Sequence, residues 1–434
     1  MDKTFLQYDV IIVGGGAAGL VAAVCCAKKL FGNIRVAVVE KEFKLGKKLL
    51  ATGNGKCNMT NHAMSVEYYN LSSRDFISKI LSKYSTDKIE AFWKSIGLIT
   101  KRDAQGRVYP YSGQASSVLE TLLLNLNTFG VDVFCETEIT EIRRFNKQYR
   151  LFSKKRNFAA EKVVLASGGM VQPNLGSGGA SYKFAEDLNL KCTKLFPSLA
   201  PVICSDSDLK IAKGVRTAAD VSLKADGKTV KTEIGELQIN EKNVSGICVF
   251  QLSRMVNEYF SLGTVCGRKC AKIVISADFM PEFSFEEIQR LLEEKRRRFP
   301  NSLSSDLFTG IINGKLGSYL LKKLGIDSCR ELCKLTDDNI YSLTSRLKST
   351  EFIPSAPSGI NTAQVTAGGI EISEIDKNME SIKNKNLYIV GEALDVDGVC
   401  GGYNLHWAFA SGITAGNHAA NLYMKRGGKN DKSK

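Results

Sequence analysis

A glycine-rich turn near the start of the chain has the spacing of a turn that binds a dinucleotide pyrophosphate. Gly14, Gly16 and Gly19 form a G-x-G-x-x-G pattern directly after an apolar run at residues 9–13. The first glycine allows a tight turn, the second lets the backbone approach the pyrophosphate, and the third lets a helix pack closely on the strand. The pyrophosphate then lies on the free N–H groups of that helix N-terminus. The pattern predicts a dinucleotide site.

Glu40 follows the next apolar run, residues 34–39, and completes a β-α-β unit. Its carboxylate can accept hydrogen bonds from an adenosine ribose and would repel a 2′-phosphate. We therefore expect FAD or NAD here rather than NADP. The basic stretch that comes next, residues 41–48, lies beside this site and includes Lys41 and Lys48.

Three side chains could take part in redox or proton-transfer chemistry. Cys57 is either a redox thiol or a packed thiol, and no second cysteine follows at the short spacing of a disulfide reductase. His406 could act as a general acid, although the positive end of a helix dipole disfavours its proton. Tyr403, like Tyr109, is either a proton donor to a substrate or a packed ring.

Two glycine-containing segments should approach the same cofactor. The first is a loop that can adopt positive φ angles and pass beneath it. The second ends a buried strand, and the carboxyl ends of parallel strands line the ligand crevice of a doubly wound sheet. Their residues are Gly53, Asn54, Gly55 and Asn58 in the first segment, and Ala166, Ser167 and Gly168 in the second.

Hydrophobic periodicity predicts the elements that hold these residues. Buried strands are expected at residues 9–13, 34–39, 162–169 and 386–390. Short β-like runs, including residues 247–250, follow from about residue 190, with a hairpin turn at Asp226 and Gly227. Helical patterns then occupy residues 283–335, and a last helix follows the fourth buried strand.

Composition limits the class of protein. The chain has 434 residues, a net charge of +14, twelve cysteines and three histidines. We expect two or three domains, no membrane span, no metal site, and reduced thiols in a cytoplasmic protein. No nucleic-acid module with base-stacking aromatics is visible, so a small-molecule substrate is expected and a nucleic-acid partner is not. The oligomeric state is left open.

Five segments resemble the BaiN/YhiN-like flavoproteins, bacterial NAD(P)/FAD-dependent oxidoreductases with some aminoacetone oxidase-like members. They read VIIVGGGAAGL, KLGKKLLATGNGKCNMTN, RVYPYSGQASSVL, VLASGGMVQPNLGSGGASY and GEALDVDGVCGGYNLHWAFASG, in the family's order. TGNGKCNMTN and the LDVDG…GGYNL block are the specific ones. The chain departs from the family within residues 237–254, where a His and a Pro are missing, so the substrate is left open. His406 stands where the family often has Gln.

The resemblance implies an α/β fold: a Rossmann-like FAD-binding domain on a doubly wound parallel sheet, with an inserted β domain and a small helical cap domain. The predicted divisions are residues 1–190 and 356–425 for the FAD-binding domain, 191–280 and 336–355 for the β domain, 281–335 for the cap, and 426–434 for a basic tail.

Carried over by position, the resemblance places Glu138 beside the adenine and Gly391 and Glu392 near the ribityl chain. Asp397 either caps its loop or holds ribityl hydroxyls. Backbone N–H groups from Gly402 to Leu405 would stabilise negative charge on the reduced flavin. The complete set of predicted cofactor-binding residues is Gly14, Gly16, Ala17, Ala18, Gly19, Glu40, Lys41, Lys48, Gly53, Asn54, Gly55, Cys57, Asn58, Glu138, Ala166, Ser167, Gly168, Gly391, Glu392, Asp397, Gly402, Tyr403, Asn404 and Leu405.

We predict a FAD-dependent oxidoreductase in which NADH or NADPH is a transient electron donor and hydride passes through the flavin to a small organic substrate. The resemblance implies a C=C conjugated to a carbonyl, as on a bile-acid-like enone. Three alternatives stay open: a FAD-dependent amine or aminoketone oxidase that uses O2, a flavin-containing RNA-binding or RNA-modifying protein, and a non-catalytic flavin or nucleotide binder. The RNA alternative follows from the net charge.

Overall fold

The computed structural model describes residues 5–30, 33–70 and 74–430, with side chains described as far as residue 421. The chain divides into two compact units. Unit 1 comprises Met1–Leu195 and Val365–Lys434, and unit 2 comprises Phe196–Gln364. Unit 1 is thus built from two separate stretches of chain. Of the predicted basic tail, residues 431–434 lie outside the described residues, and the backbone of the last helix includes the rest.

The strands are named in chain order. They are β1 (Phe5–Val13), β2 (Val36–Val39), β3 (Thr60–Asn61), β4 (Thr100–Arg102), β5 (Arg107–Pro110), β6 (Asp132–Phe134), β7 (Ile139–Phe145), β8 (Gln148–Ser153), β9 (Asn157–Leu165), β10 (Phe196–Ser198), β11 (Val202–Cys204), β12 (Arg216–Ala225), β13 (Lys228–Ile239), β14 (Asn243–Ser245), β15 (Thr264–Val265), β16 (Arg268–Lys269), β17 (Ile273–Asp278), β18 (Thr350–Phe352), β19 (Pro354–Ala356), β20 (Val365–Ala367) and β21 (Leu387–Ile389).

The α-helices are named in the same way. They are α1 (Ala17–Lys29), α2 (Lys47–Ala51), α3 (Arg74–Lys83), α4 (Thr86–Ser95), α5 (Ala115–Thr128), α6 (Ala180–Asp187), α7 (Ile247–Leu262), α8 (Phe285–Arg298), α9 (Gly314–Lys323), α10 (Asp337–Lys348) and α11 (Tyr403–Asn430). No helix in the described part of the chain is long and apolar enough to cross a membrane.

A parallel sheet forms the centre of unit 1. Its strands lie in the order β6-β2-β1-β9-β21, and each neighbouring pair is parallel. Every residue of β2 is buried, as expected for a strand covered on both faces. The hairpin β7-β8 pairs antiparallel with the first half of β9. The predicted α/β class and the parallel Rossmann-like sheet are confirmed.

Helices α1 and α11 pack so closely that only glycine fits at two positions of α11. A Cβ at Gly412 would lie 2.5 Å from the carbonyl oxygen of Ala18, and one at Gly416 would collide with that of Ala22. From the first contact to the second, the chain advances by four residues on both helices. The two helices therefore run parallel, and their N-termini point toward the same edge of the sheet. Counting back from Gly412, α11 begins about 12 Å beyond the start of α1 along the helix axis.

Unit 2 contains an antiparallel sheet with the order β18-β17-β12-β13-β14-β11-β19. Its longest hairpin, β12-β13, turns at Asp226 and Gly227, whose φ angles are +48° and +81°. Two consecutive residues with positive φ form the tight turn that matches the twist of the paired strands. The predicted hairpin turn is confirmed.

Two helical segments of unit 2 differ from the sequence prediction. Residues 247–250, predicted as a strand, begin helix α7, because buried Cys248, Val249 and Leu252 recur at helical spacing over a longer window. Helix α10 lies in a stretch predicted as β structure. Its N-terminus is closed by Thr336, whose hydroxyl accepts a hydrogen bond from the N–H of Asn339.

The sheet and the helices of unit 2 share one hydrophobic core. Its buried side chains include Val221 on β12, Leu252 on α7, Ile288 on α8, Leu320 on α9 and Leu343 on α10. The segment predicted as a separate cap, residues 281–335, therefore packs on the antiparallel sheet within the same compact unit.

Candidate cofactor site

The glycine-rich turn after β1 forms an open phosphate cradle. Gly14 has a φ of +108°, and a Cβ there would lie 2.5 Å from the carbonyl oxygen of Ala166. A Cβ at Gly19 would collide with the carbonyl oxygen of Gly14, whereas one at Gly16 would meet no atom within 4 Å. Helix α1 has no side-chain cap. Its first N–H groups are thus left for an anion in front of Gly16.

The carboxylate of Glu40 is held in place by two backbone groups. Its Oε2 accepts a hydrogen bond of 2.7 Å from the N–H of Gly15, and its Oε1 accepts one of 2.9 Å from the N–H of Glu42. Each carboxylate oxygen has a further lone pair for a hydroxyl group. Glu40 therefore lies beside the phosphate cradle in an orientation that suits a ribose.

A cleft of about 450 Å³ opens beyond the ends of β2 and β6. The backbone of this region is fixed because the N–H of Glu136 donates to Glu42 O and that of Thr137 donates to Glu40 O. The residues that line the cleft are Lys41, Glu42, Phe43, Glu136, Glu138, Lys154 and Lys155. The predicted residues Lys41 and Glu138 thus lie together, next to Glu40.

The segment that runs from Gly46 through α2 to β3 begins beside the same cradle. The N–H of Gly46 donates to Gly15 O, and the residues after α2 take up left-handed conformations at Gly53, Asn54 and Cys57. Cys57 is fully buried, and burial raises the pKa of its thiol to about 12. A thiol that is neutral and inaccessible is a poor nucleophile. The structure makes Cys57 a packed residue rather than a redox thiol.

Lys48 and Glu392, both predicted as cofactor residues, bind each other. Lys48 Nζ lies 2.8 Å from Glu392 Oε2, and both side chains are about one-fifth exposed. Glu392 Oε1 accepts from the N–H of Thr366, whose hydroxyl accepts from the N–H of Met170. Gly391 uses its N–H to bind Ser411 Oγ. These contacts join the loops that follow β2, β9 and β21.

The strand end at Ala166 lies next to the phosphate cradle. The N–H of Ala166 donates to Val13 O at 2.9 Å, in continuation of the β1-β9 pairing. Ser167 Oγ lies 2.8 Å from Ser181 Oγ, and Gly168 has a φ of +73°. The structure thus brings the predicted residues Ala166–Gly168 to the crevice edge, with the Ser167 hydroxyl already bonded to α6.

The N-terminus of α11 is the second helix end at this edge. Gly402 has a φ of +99°, and a Cβ there would lie 2.7 Å from Thr60 O and 2.8 Å from Asn58 Oδ1. The side-chain amide of Asn404 binds both the N–H and the carbonyl of Gly398, at 2.8 Å each. Only its backbone N–H remains for the predicted flavin contact. The first N–H groups of a helix lack intrahelical acceptors and carry partial positive charge.

His406 is a buried hydrogen-bonding residue rather than a general acid. Its ring is 0% exposed, Nδ1 lies 2.7 Å from Thr60 Oγ1, and Nε2 lies 3.0 Å from Tyr84 O. A carbonyl oxygen only accepts, so Nε2 carries the proton and Nδ1 accepts from Thr60. Burial lowers the pKa of the ring to about 4. The prediction of a general acid fails because both nitrogens have protein partners.

Tyr403 lies between two other tyrosines. Its ring centroid is 4.9 Å from that of Tyr68 and 6.1 Å from that of Tyr69, and the Tyr69 hydroxyl donates to Tyr403 O. Burial raises the pKa of Tyr403 to about 12, and burial also raises the pKa of Tyr109. Both phenols keep their protons at neutral pH. Either one can therefore donate a proton.

The loop that contains Asp397 is tied down by Asn70, which the sequence analysis missed. The N–H of Asn70 donates to Asp397 O, and its side-chain amide donates to the carbonyl and the carboxylate of Asp395. The Asp395 carboxylate therefore holds its own loop in place, whereas the role predicted for the Asp397 side chain stays a prediction. No local motif marks Asn70, because it reaches this loop through the long-range pairing of Tyr69 with Gly398.

The residues present fit FAD at this edge. Asn58 Oδ1 is buried and has no hydrogen-bond partner among the described residues, next to Gly402 at the start of α11. A buried acceptor without a partner costs free energy, so a bound group with an N–H would stabilise it. The open space in front of Gly16 can take the phosphates of the cofactor, and the space beside Asn58 Oδ1 can take a ring that donates a hydrogen bond.

A separate group of possible metal ligands lies directly after β3 and on α4. His62, Asp87 and Glu90 have ligand atoms within 4.8 Å of one another, although the sequence predicted no metal site. Arg102 Nη2 lies 2.6 Å from His62 Nε2, and Glu90 Oε1 lies 2.7 Å from the same nitrogen. A cation there would have to compete with the guanidinium, so we assign no metal to this group.

Comparison with known proteins covers nearly the whole chain. Residues 8–418 match the family model of the HI0933-like protein Rossmann domain. The chain is 33% identical to the 3-dehydro-bile acid delta(4,6)-reductase of Clostridium scindens over 410 residues, 94% of this chain and 98% of that protein. It is 26% identical to the ribosomal RNA dihydrouridine synthase of Escherichia coli over 423 residues, 93% of this chain and 96% of that protein.

A solved structure supports the fold. The 3-ketosteroid delta1-dehydrogenase from Sterolibacterium denitrificans, in complex with 1,4-androstadiene-3,17-dione, aligns over 96% of this chain and 100% of its own. The TM-score is 0.52 at 14% identity. From the family match and the 33% identical relative, the chain belongs to the HI0933-like Rossmann family, the BaiN/YhiN-like group of FAD-dependent oxidoreductases that its motifs resemble.

Proposed function

We propose that this chain saturates a carbon–carbon double bond conjugated to a carbonyl group in a small organic substrate. FAD is its resident cofactor, and NADH or NADPH is the transient electron donor. The observation that carries the proposal is the chemistry shared by two relatives of the full chain. A delta(4,6)-reductase of 3-dehydro bile acids and a dihydrouridine synthase both act on a C=C next to a carbonyl. Identity of 33% favours the steroid-like substrate class.

The residues around the phosphate cradle bind and orient the cofactor. The N-terminus of α1 receives the pyrophosphate in front of Gly16, and Glu40 accepts hydrogen bonds from the ribose. Lys48 forms an ion pair with Glu392 at 2.8 Å, so the charge of the Glu392 carboxylate is compensated beside the cofactor. When bound, FAD supplies hydride transfer at its isoalloxazine ring.

The residues at the start of α11 handle charge and protons. The backbone N–H groups of Tyr403 and Asn404, at the positive end of α11, would hold the negative charge of a reduced flavin. Asn58 Oδ1, which is buried and has no hydrogen-bond partner among the described residues, would accept a hydrogen bond from an N–H group of the cofactor. The Tyr403 phenol, whose pKa burial raises to about 12, keeps its proton at neutral pH and would be the group that donates it to the substrate carbon.

A product assay tests this proposal. FAD-reconstituted protein is incubated anaerobically with NADH or NADPH and a 3-oxo-4,6-diene steroid, and the products are analysed by mass spectrometry. We expect products that have gained two hydrogen atoms per reduced bond. Consumption of O2 with an aminoketone and no enone reduction would instead favour the oxidase alternative. A bound flavin that neither nucleotide reduces, and that no acceptor reoxidises after dithionite, would favour a non-catalytic binder.

Reduction of uridine in ribosomal RNA is the second candidate function. It is favoured by the dihydrouridine synthase relative, which is 26% identical over 93% of this chain, and by the net charge of +14. Binding through phosphates would weaken steeply with salt. The test is incubation of the reduced enzyme with ribosomal RNA, followed by nucleoside analysis. Dihydrouridine formed without steroid reduction would make RNA the substrate and overturn the first candidate.

A further inference from the structure

The hairpin β7-β8 and the turn that follows it are strongly basic. Residues 141–156 contain seven Lys or Arg residues and one acidic residue, Glu141. Strand β7 is the last strand of its sheet, and every residue from 143 to 148 is exposed. The basic residues of the hairpin itself are Arg143, Arg144, Lys147 and Arg150. A surface with one sign of charge attracts a partner of the opposite sign.

The strand register places two arginines and three phenylalanines on one face of the sheet. Arg143 lies directly opposite Arg150. Side chains two residues apart share a face, so Phe145 joins Arg143 and Phe152 joins Arg150. The pairing of β8 and β1 with β9 adds Phe5. We call these five side chains the Arg-Phe face. No local motif marks it, because strand pairing brings its members together.

The rings hold both guanidinium groups against the sheet. The Arg150 guanidinium lies 3.8 Å from the ring centroid of Phe145 and 5.0 Å from that of Phe5. The Arg143 guanidinium lies 5.6 Å from the centroid of Phe152, whose ring is 5.7 Å from that of Phe5. A guanidinium within about 6 Å of a ring centroid is attracted to the ring. The five side chains therefore form one ordered surface.

The two arginines oppose the pairing of their own strands. Like charges directly opposite each other on neighbouring strands are destabilising. Arg143 Nε donates to the Glu141 carboxylate, whereas no ion pair in the described part of the chain involves Arg150. The Arg143 side chain is 67% exposed and Phe145 is 51% exposed. An anionic partner would relieve the repulsion, which favours a binding surface over a hairpin that contacts solvent alone.

We propose that the Arg-Phe face binds single-stranded RNA. Unstacked bases lie on aromatic rings and on the planes of guanidinium groups, and guanidinium N–H groups also bind phosphate oxygens. The other basic residues of the hairpin add attraction for the phosphate backbone. Farther along the same face, Asp9 on β1 and Glu161 on β9 end the basic surface. The choice of RNA over DNA rests on the second candidate function.

An anionic membrane is the other partner that a basic surface with aromatic rings could fit. Membrane-surface segments present an apolar side that enters the lipid. Here the hairpin turn consists of Asn146 and Lys147, which are polar and exposed. The exposed ring beside the turn, Phe145, is covered on one side by the Arg150 guanidinium. These features favour RNA over a lipid surface.

Fluorescence anisotropy of a labelled oligouridylate of about 12 nucleotides tests the proposal, with the FAD-reconstituted full chain and a series of salt concentrations. The double variant Arg143→Gln/Arg150→Gln should bind roughly 10- to 100-fold more weakly than the wild type. The slope of log affinity against log salt should become shallower by about 1.4, because each phosphate contact to a single strand contributes about 0.7.

A matched control and a second variant separate the contributions. Arg297→Gln/Arg298→Gln removes the same charge from the exposed end of α8, where Arg298 also lies over a ring, that of Phe299 at 5.6 Å. This control should bind RNA like the wild type. Arg150→Lys keeps the charge but loses the planar group. Its affinity should fall while its salt slope stays that of the wild type.

Three results would overturn the proposal. The first is a wild-type chain that does not bind the oligonucleotide at low salt. The second is an equal loss of affinity in Arg143→Gln/Arg150→Gln and in the α8 control, each with bound FAD and the far-ultraviolet spectrum of the wild type. The third is binding to vesicles of phosphatidylserine and phosphatidylcholine without binding to RNA.

The binding assay also separates this proposal from the second candidate function, because it involves no turnover. A wild type that binds RNA through the Arg-Phe face and forms no dihydrouridine would support the proposal and remove that candidate. Dihydrouridine formation together with normal RNA binding by Arg143→Gln/Arg150→Gln would overturn the proposal and leave the candidate standing.

Discussion

His406 should make the folded protein less stable as the pH falls below about 6.5. Its neutral ring donates from Nε2 to Tyr84 O and accepts at Nδ1 from the Thr60 hydroxyl. Protonation of Nδ1 would break the bond to Thr60 and place a charge in a site with no solvent exposure. The folded state therefore resists the proton, whereas the unfolded chain accepts it.

The magnitude follows from the change in pKa. Burial lowers the pKa of His406 from 6.5 to about 4. Above pH 6.5 the ring is neutral in both states and its contribution to stability is complete. As the pH falls from 6.5 toward 4, only the unfolded state binds the proton, so stability is lost. The loss is about 2 kcal/mol by pH 5 and approaches about 3 kcal/mol below pH 4.

The variant His406→Gln isolates this effect, because glutamine does not titrate but can still donate to Tyr84 O. Urea unfolding of both proteins would be followed at about pH 7.5 and pH 5 with the same excess of FAD. The free-energy difference between wild type and variant should shift by about 2 kcal/mol in favour of the variant at the lower pH. A difference that stays constant between the two pH values would refute the buried neutral histidine.

Three further predictions concern the cofactor site. Gly402→Ala should lose bound FAD and should destabilise the folded protein by about 1–3 kcal/mol more than Gly97→Ala. Both glycines have φ near +100°, but only at Gly402 would a Cβ lie against Thr60 O. Equal losses of stability in urea unfolding would contradict this. Tyr403→Phe should keep FAD binding and slow enone reduction by about 100-fold in stopped-flow assays, and an unchanged rate would exclude the phenol as proton donor. Cys57 should resist alkylation by iodoacetamide in the folded protein, because burial raises the pKa of its thiol to about 12. The variant Cys57→Ala should keep full turnover. Rapid alkylation of Cys57, or loss of turnover in the variant, would show that the thiol is reactive.

The nucleotide-binding half of the fold could be predicted because its determinants are local. The turn at Gly14 and Gly16, the strand before it and the helix after it form one continuous segment of sequence. Glu40 follows within the same β-α-β unit, and Gly402 precedes its helix directly. In each case periodicity and glycine spacing are set by neighbouring residues, so a short window contains the whole signal.

The contacts that decide chemical roles could not be predicted, because they join distant parts of the chain. His406 is neutral because Thr60 and Tyr84 lie against it, 346 and 322 residues away in sequence. Thr366, which binds the loop after β9, carries no local motif. Helix α7 was predicted as a strand at its start because four apolar residues do not reveal a period.

The anaerobic visible spectrum of the FAD-reconstituted protein tests the central claim most directly. NADH or NADPH would be added first, and a 3-oxo-4,6-diene steroid afterwards. The account predicts flavin absorption bands that bleach with the nucleotide and return when the steroid is added. A protein that binds no FAD, or a reduced flavin that the steroid and other conjugated enones leave bleached, would contradict it.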